Sequence, residues 1–151
     1  MIDKLYDKNM RKIIIVIGLA AIACSSQPGP KDVVFEFIRA VKASDSLTVV
    51  QLLDVDAFIR MRMVEMSPED SAQVLVDERG KTIQSLLGDG ETRRYWNKPE
   101  MRILVNKARI NEDEADVDMS FMDKQTGSLV YSKVLLKKQP DKSWRITYFK
   151  Q

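Results

Sequence analysis

Glu114-Ala115-Asp116-Val117-Asp118-Met119-Ser120-Phe121 alternates strictly between polar and apolar side chains. Side chains on a strand point to opposite faces with a period of two, so this stretch reads as a strand with one face on a core and one face wet. Its neighbours extend the pattern. Met101 to Ile110 forms a strand before it, joined through the short turn Asn111-Glu112-Asp113. Asp123 to Gly127 turns the chain into Ser128–Lys138, and Gln139-Pro140-Asp141-Lys142 turns it again into Ser143–Lys150. Connections this short join antiparallel neighbours. Arg93 to Trp96 is expected to add an edge strand, which sets the sheet at four to five strands. In the last strand, simple alternation puts Trp144, Ile146 and Tyr148 on one face and Arg145, Thr147 and Phe149 on the other. Aromatic groups on both faces imply that a second subunit covers one of them.

Ahead of the strands the period changes to that of a helix. Val34, Phe37, Ile38 and Val41 fall at helical spacing, with Glu36, Arg39 and Lys42 on the opposite side, and Pro30 suits a first position. Ala43-Ser44-Asp45-Ser46 breaks this helix with residues that cap the next one, Leu47 to Leu53. Asp54 caps a third helix through Val55, Phe58, Ile59 and Met63. Ser67-Pro68-Glu69-Asp70 starts a fourth, which presents Ala72, Leu75, Val76, Ile83 and Leu86 and stops at Gly88-Asp89-Gly90. Gly80 inside it is a place to loosen. Met61, Met63 and Met66 read as core filler, the common use of helical Met. Helices followed by an antiparallel meander give an α+β fold, with N-terminal helices packed on a curved antiparallel sheet.

The first residues have another purpose. Arg11-Lys12 is a short positive segment, and Ile13 to Ala23 follows as about eleven uncharged residues. That run is well short of the roughly 20 needed to span a bilayer and fits the apolar part of a secretory signal. Ala21-Ile22-Ala23 leads directly into Cys24, the single cysteine of the chain. Here the sequence resembles the signals of bacterial lipoproteins, which end in small residues followed by Cys. Ala21 stands where Leu is the favoured residue. The resemblance implies cleavage between Ala23 and Cys24, acylation of the Cys24 thiol, and membrane lipid as the partner through that residue. One acyl chain binds marginally and two or more bind firmly. The organisation is then a signal peptide at 1–23, a lipidated Cys with its tether at 24–30, and one domain at 31–151. Ser25 leans towards the outer membrane of the cell envelope over the inner one. Met10 already opens a complete signal and is expected to be the translation start.

Charge supports the division. Four of the 24 basic and two of the 22 acidic residues lie in 1–23, so the remainder is balanced and carries no footprint for nucleic acid. Histidine is absent and Cys24 has no second thiol, which nearly excludes zinc and triad chemistry. No cofactor, catalytic residue or metal site is expected.

The order helix, ASDS break, helices, ADVDMSF, SLVYSKVLLKK and a closing SWRITYF resembles the nuclear-transport-factor-2-like (NTF2-like), cystatin-like cone superfamily, over nearly all of residues 30–151. Small bacterial lipoproteins of unknown function share that domain. The resemblance implies a cone between helices and sheet, which in enzymatic members holds an Asp base, and it implies sheet-face homodimers as a common partnership. Fold alone does not choose among isomerases, dehydratases, adaptors and dimer modules.

Asp54 and Asp56 read as helix caps, and Glu114, Asp116 and Asp118 as a solvated strand face without the spacing of a calcium loop. Arg93, Arg94, Tyr95, Trp96, Trp144 and Tyr148 form the candidate binding surface, since Arg and aromatics are enriched at interfaces. The expectation is a non-catalytic domain that binds a small apolar ligand in the cone or an envelope protein on the sheet. The alternatives are an assembly factor without ligand and a cone-pocket enzyme.

Overall fold

The structure, a computed structural model, describes residues 27–63 and 72–150. The signal segment, Met10, Ala23, Cys24, Ser25, Met66 and the Ser67–Asp70 helix start lie outside the described residues. In chain order the elements are α1 (Pro30–Ala43), α2 (Ser46–Leu52), α3 (Val55–Met63), α4 (Ala72–Leu86), α5 (Glu91–Trp96), β1 (Met101–Asn111), β2 (Glu114–Asp123), β3 (Leu129–Lys138) and β4 (Trp144–Phe149). The fold is α+β: helices on an open antiparallel sheet of four strands in the order β1-β2-β3-β4.

Each early helix begins where a side chain can take up its free amides. The Gly29 N–H donates to Asp32 Oδ2 at 3.0 Å, and Pro30 sits at the first position, where a missing donor costs nothing. Asp45 accepts from the Thr48 amide at 3.2 Å and from its hydroxyl at 2.7 Å. Asp54 accepts from the Ala57 amide at 3.0 Å. The buried face of α1 carries Val33, Val34, Phe37, Ile38, Ala40 and Val41 at the anticipated spacing. Between α2 and α3, Leu53 pairs in parallel with Ile146, and the Asp54 N–H donates to the Ile146 carbonyl at 2.8 Å. This strap closes the outer edge of β4. Arg79 grips Asp56 through two nitrogens, at 3.1 Å and 2.6 Å, and ties α4 to α3.

Two expectations are corrected. Arg93–Trp96 belongs to helix α5 and adds no edge strand. Gly90 is its N-cap and Glu91 its first-turn acid; the two buried residues, Thr92 and Trp96, stand four apart, the spacing of a helix face. Gly90 allows α5 to start against the end of α4, because a Cβ there would collide with the carbonyl oxygens of Gln84 and Ser85. The second correction concerns β4. Leu135 pairs with Tyr148 and Leu136 with Ile146, so Thr147 is an extra residue. Such a bulge resets the alternation. Phe149 therefore joins Trp144 and Ile146 in the core, so its ring gives no argument for a covering subunit.

The interior is filled by rings. Phe149 lies 4.9 Å from Phe58, 5.6 Å from Phe37 and 5.8 Å from Trp96, centroid to centroid. Trp96 continues to Phe121 at 6.2 Å. Ala115, Val117, Met119 and Phe121, the apolar row of the opening stretch, close the cluster from below. A second bulge, at Asn106–Lys107 in β1, keeps Val105 and Ala108 on that same face.

Candidate interaction surface

Among the described residues, the buried polar side chains are Thr82, Thr92 and Ser120, and no carboxylate is buried. The carboxylates whose acidity is perturbed all shift downwards. Hydrogen bonding to Arg109 holds Asp116 below its ordinary value despite some desolvation; Arg79 does the same for Asp56 and Lys81 for Glu78. Thr48 lowers Asp45, the Thr126 and Gln125 amides lower Asp123, and Ser143 lowers Asp141. A general base or acid working near neutrality needs the opposite shift.

The polar row of β2 does not stand free in solvent. Arg109, across from Asp116 on β1, donates to Asp116 at 2.6 Å and to Asp118 at 2.8 Å, and Lys133 of β3 approaches Asp116 at 3.6 Å. A guanidinium thus occupies the space between the two carboxylates that a cation would need. Among the described residues no cluster of His, Cys, Asp or Glu could hold a metal ion.

Beyond this ladder the outer face turns apolar. β2 and β3 pair from Glu114–Lys137 to Met122–Leu129, whereas β4 pairs with β3 only from Val134 to Lys138. Among the described residues Leu129–Lys133 therefore overhangs: one side is bonded to β2, and the other meets Lys150 at Ser132 and no strand. The overhang carries Leu129, Val130 and Tyr131 at 39, 55 and 74% exposure. Beside it is a hollow lined by Leu104, Asn106, Ser120, Leu129, Tyr131 and Ser132 and flanked by the Arg109–Asp118 pair. Ser120 lies at its floor, 2% exposed, with its hydroxyl bonded to the Asn106 amide nitrogen at 3.1 Å.

The six residues anticipated as a binding surface do not meet as one patch. Trp96 and Trp144 are buried, the latter beneath the Lys138 ammonium at 5.7 Å. Tyr148 is half-buried, 5.9 Å from the Phe58 ring. Arg93 donates to the Gly88 carbonyl at 2.7 Å, closing the α4–α5 corner. Arg94 and Tyr95 remain exposed, with Lys98 over the Tyr95 ring at 5.3 Å. The overhang was missed, although unequal lengths of the last two strands are its sequence signal.

Two other hollows are larger. The larger, about 1050 Å³, is a shallow trough along α4 and the α4–α5 turn. The other, about 710 Å³, lies between α3 and the sheet and is lined by Ala57, Arg60, Met61, Ile110, Leu135 and Lys137 among others.

No family model matches the chain, and no curated protein matches it. Solved structures do. One, provisionally named an NTF2-like transpeptidase, from Campylobacter jejuni, is 16% identical; the match covers 82% of this chain and 100% of that one, with a TM-score of 0.48. A ketosteroid isomerase-like protein from Erwinia carotovora atroseptica is 18% identical over 78% of this chain and 87% of its own, TM-score 0.43. An NTF2-like protein of unknown function from Cytophaga hutchinsonii is 14% identical over 83% and 89%, TM-score 0.38. These are likenesses of backbone arrangement, and no residue of a site is carried across from them.

Proposed function

We propose that this protein is a lipid-anchored module of the cell envelope, of the NTF2-like kind, whose sheet holds a protein partner without catalysis. The observation that carries the reading is the pairing of a filled interior with an apolar strand overhang. Phe37, Phe58, Trp96 and Phe149 pack ring against ring in the interior between the helices and the sheet, where the resemblance implies the cone. Among the described residues Leu129–Lys133 has no strand on its far side and carries exposed apolar side chains, the arrangement that lets an extended segment of another protein add a strand. The hollow next to Tyr131 gives such a segment a place for one side chain. The anchor rests on the sequence: a positive segment, a short apolar run and Cys24 in the order of a lipoprotein signal, with Ser25 favouring the outer membrane.

A photo-reactive amino acid at Tyr131, in cells making the lipidated chain, is expected to give one adduct of defined mass. Leu129→Asp should weaken it. An adduct with a second copy of this chain would replace the envelope partner by the sheet homodimer. A label spread over many proteins, or none, would overturn the reading. The anchor is tested by Cys24→Ser, which should abolish palmitate incorporation and release the chain from membranes.

A small-ligand reading has one observation of its own. The hollow between α3 and the sheet sets Arg60, Arg109 and Lys137, with Glu114 and Asp116 among them, around apolar Ala57, Met61, Ile110 and Leu135; this rim carries one positive charge in excess and admits an anion with an apolar body. Saturable binding of a fatty acid, lost in Arg60→Glu, would favour it.

A further inference from the structure

The way the chain enters the domain fixes which end of it can meet the membrane. Gln27 donates from its side chain to the Asp141 carbonyl at 3.0 Å, so the entering chain lies against the β3–β4 turn. Gly29 is then held by Asp32, and α1 begins at Pro30. Only three residue steps separate Cys24 from Gln27. Fully extended they span about 10 Å. The β1–β2 turn is at the same end, since the Lys138 N–H donates to the Asp113 carbonyl at 2.7 Å. β3 runs from Lys138 at this end to Leu129 at the other, ten residues. Such a strand is about 30 Å long.

We propose that the end carrying the β1–β2 and β3–β4 turns rests on phospholipid headgroups, which holds the Leu129–Lys133 overhang roughly 17–30 Å from that end. This rests on the lipid-anchored reading of Cys24. Headgroups occupy roughly 5–7 Å on each side of a bilayer. With the Gln27 side chain and its 3.0 Å hydrogen bond added, the β3–β4 turn lies within about 20 Å of the acylated sulfur, so this end is the one the tether holds beside that layer. The charges at this end agree with a contact made by the tether. On and beside the two turns, Lys137, Lys138, Lys142 and Arg145 are accompanied by Glu112, Asp113, Glu114 and Asp141. A balanced end has little preference for anionic lipid.

The test uses the full lipidated chain in vesicles of phosphatidylethanolamine and phosphatidylglycerol containing a headgroup-spin-labelled lipid. Acylated Cys24 does not react with thiol dyes, so single cysteines can be labelled: Lys142→Cys in the β3–β4 turn, Glu112→Cys in the β1–β2 turn, and Gln125→Cys in the β2–β3 turn, all exposed. Quenching at the first two positions is expected to exceed that at the third at least threefold, and to change little when phosphatidylglycerol is omitted. Equal or reversed quenching on vesicle-bound protein overturns the orientation alone. Vesicle retention unaffected by Cys24→Ser in the same assay overturns the anchor and the orientation with it. Inserting about twenty Gly/Ser residues after Ser25 should keep retention and erase the contrast; a contrast that survives would remove the short tether as its cause.

Discussion

Replacing Phe149 by Ala separates the bulged from the unbulged reading of β4. With Thr147 as the extra residue, Phe149 is 2% exposed and touches three rings, those of Phe37, Phe58 and Trp96. Removing the ring forfeits roughly 150–200 Å² of burial, at about 25 cal/mol per Å² about 4–5 kcal/mol. Large-to-small changes of this kind cost about 3–5 kcal/mol when the void cannot collapse, and it cannot where rings meet from three sides. We expect about 4 kcal/mol. Urea titration of the detergent-solubilised chain, read by the fluorescence of the buried Trp96 and Trp144, gives the number. For a denaturant slope near 2 kcal/mol/M the midpoint should fall by about 2 M. Arg145→Ala, exposed on the same strand, should move it by less than about 0.3 M. A loss below about 1 kcal/mol at Phe149 would mean that the ring faces outward as strict alternation has it, and the argument for a filled interior would go with it.

Gly90→Ala should destabilise by about 3 kcal/mol, at the upper end for overpacking, because the new Cβ meets the Gln84 and Ser85 carbonyls, which are backbone; a midpoint within error of the parent would show that α5 can slide away. Asp54→Ala removes the cap bond to the Ala57 amide and should cost about 1 kcal/mol by the same titration, while Asp54→Asn should recover most of it. Asp116 titrates below its ordinary value because Arg109 bonds its charged form. Its contribution is therefore complete above the unfolded value, about 3.9, and is lost as pH falls through the lower folded one. Unfolding midpoints between pH 5 and pH 2 should fall less steeply in Asp116→Asn than in the parent, and parallel acid limbs would remove this pair from acid stability.

What the sequence disclosed follows from how far each signal reaches. The row Ala115, Val117, Met119, Phe121 was legible because alternation is local and β2, inside the sheet, has no bulge opposite β3 to disturb it. The caps at Asp45 and Asp54 were legible for the same reason, since cap and amide are three residues apart. Arg93–Trp96 was misread because four residues cannot distinguish a period of two from one of 3.6; the deciding partner, Thr92, lay one residue outside the window. Phe149 was misplaced because a bulge is a property of two strands, and nothing within β4 announces that Thr147 has no mate on β3. The candidate surface failed on the same ground. Trp96 and Trp144 carry the composition of an interface, and their burial against Phe37, Phe149 and Lys138 is fixed by elements distant in sequence.

The treatment of the other sheet edges gives the overhang its meaning. An open strand edge bearing apolar side chains invites pairing with any extended chain, and folded proteins blunt such edges with charge, bulges or cover. The free edge of β1 has all the means of the first two kinds: Arg102, Lys107 and Arg109 are exposed along it, and the bulge at Asn106–Lys107 breaks its register. The edge of β4 is covered by the Leu53 strap and its hydrogen bond to Ile146. On β3 the same physics has been left undone. Lys133 is turned towards Asp116, and Leu129, Val130 and Tyr131 keep their apolar surface in solvent with only the Ser132 hydroxyl bonded to the Lys150 carbonyl. Among the described residues the two other edges are guarded by separate devices and this one is not, the condition under which an added strand is stabilised most. That asymmetry, more than the hydrophobicity of three residues, is the reason for placing the partner there.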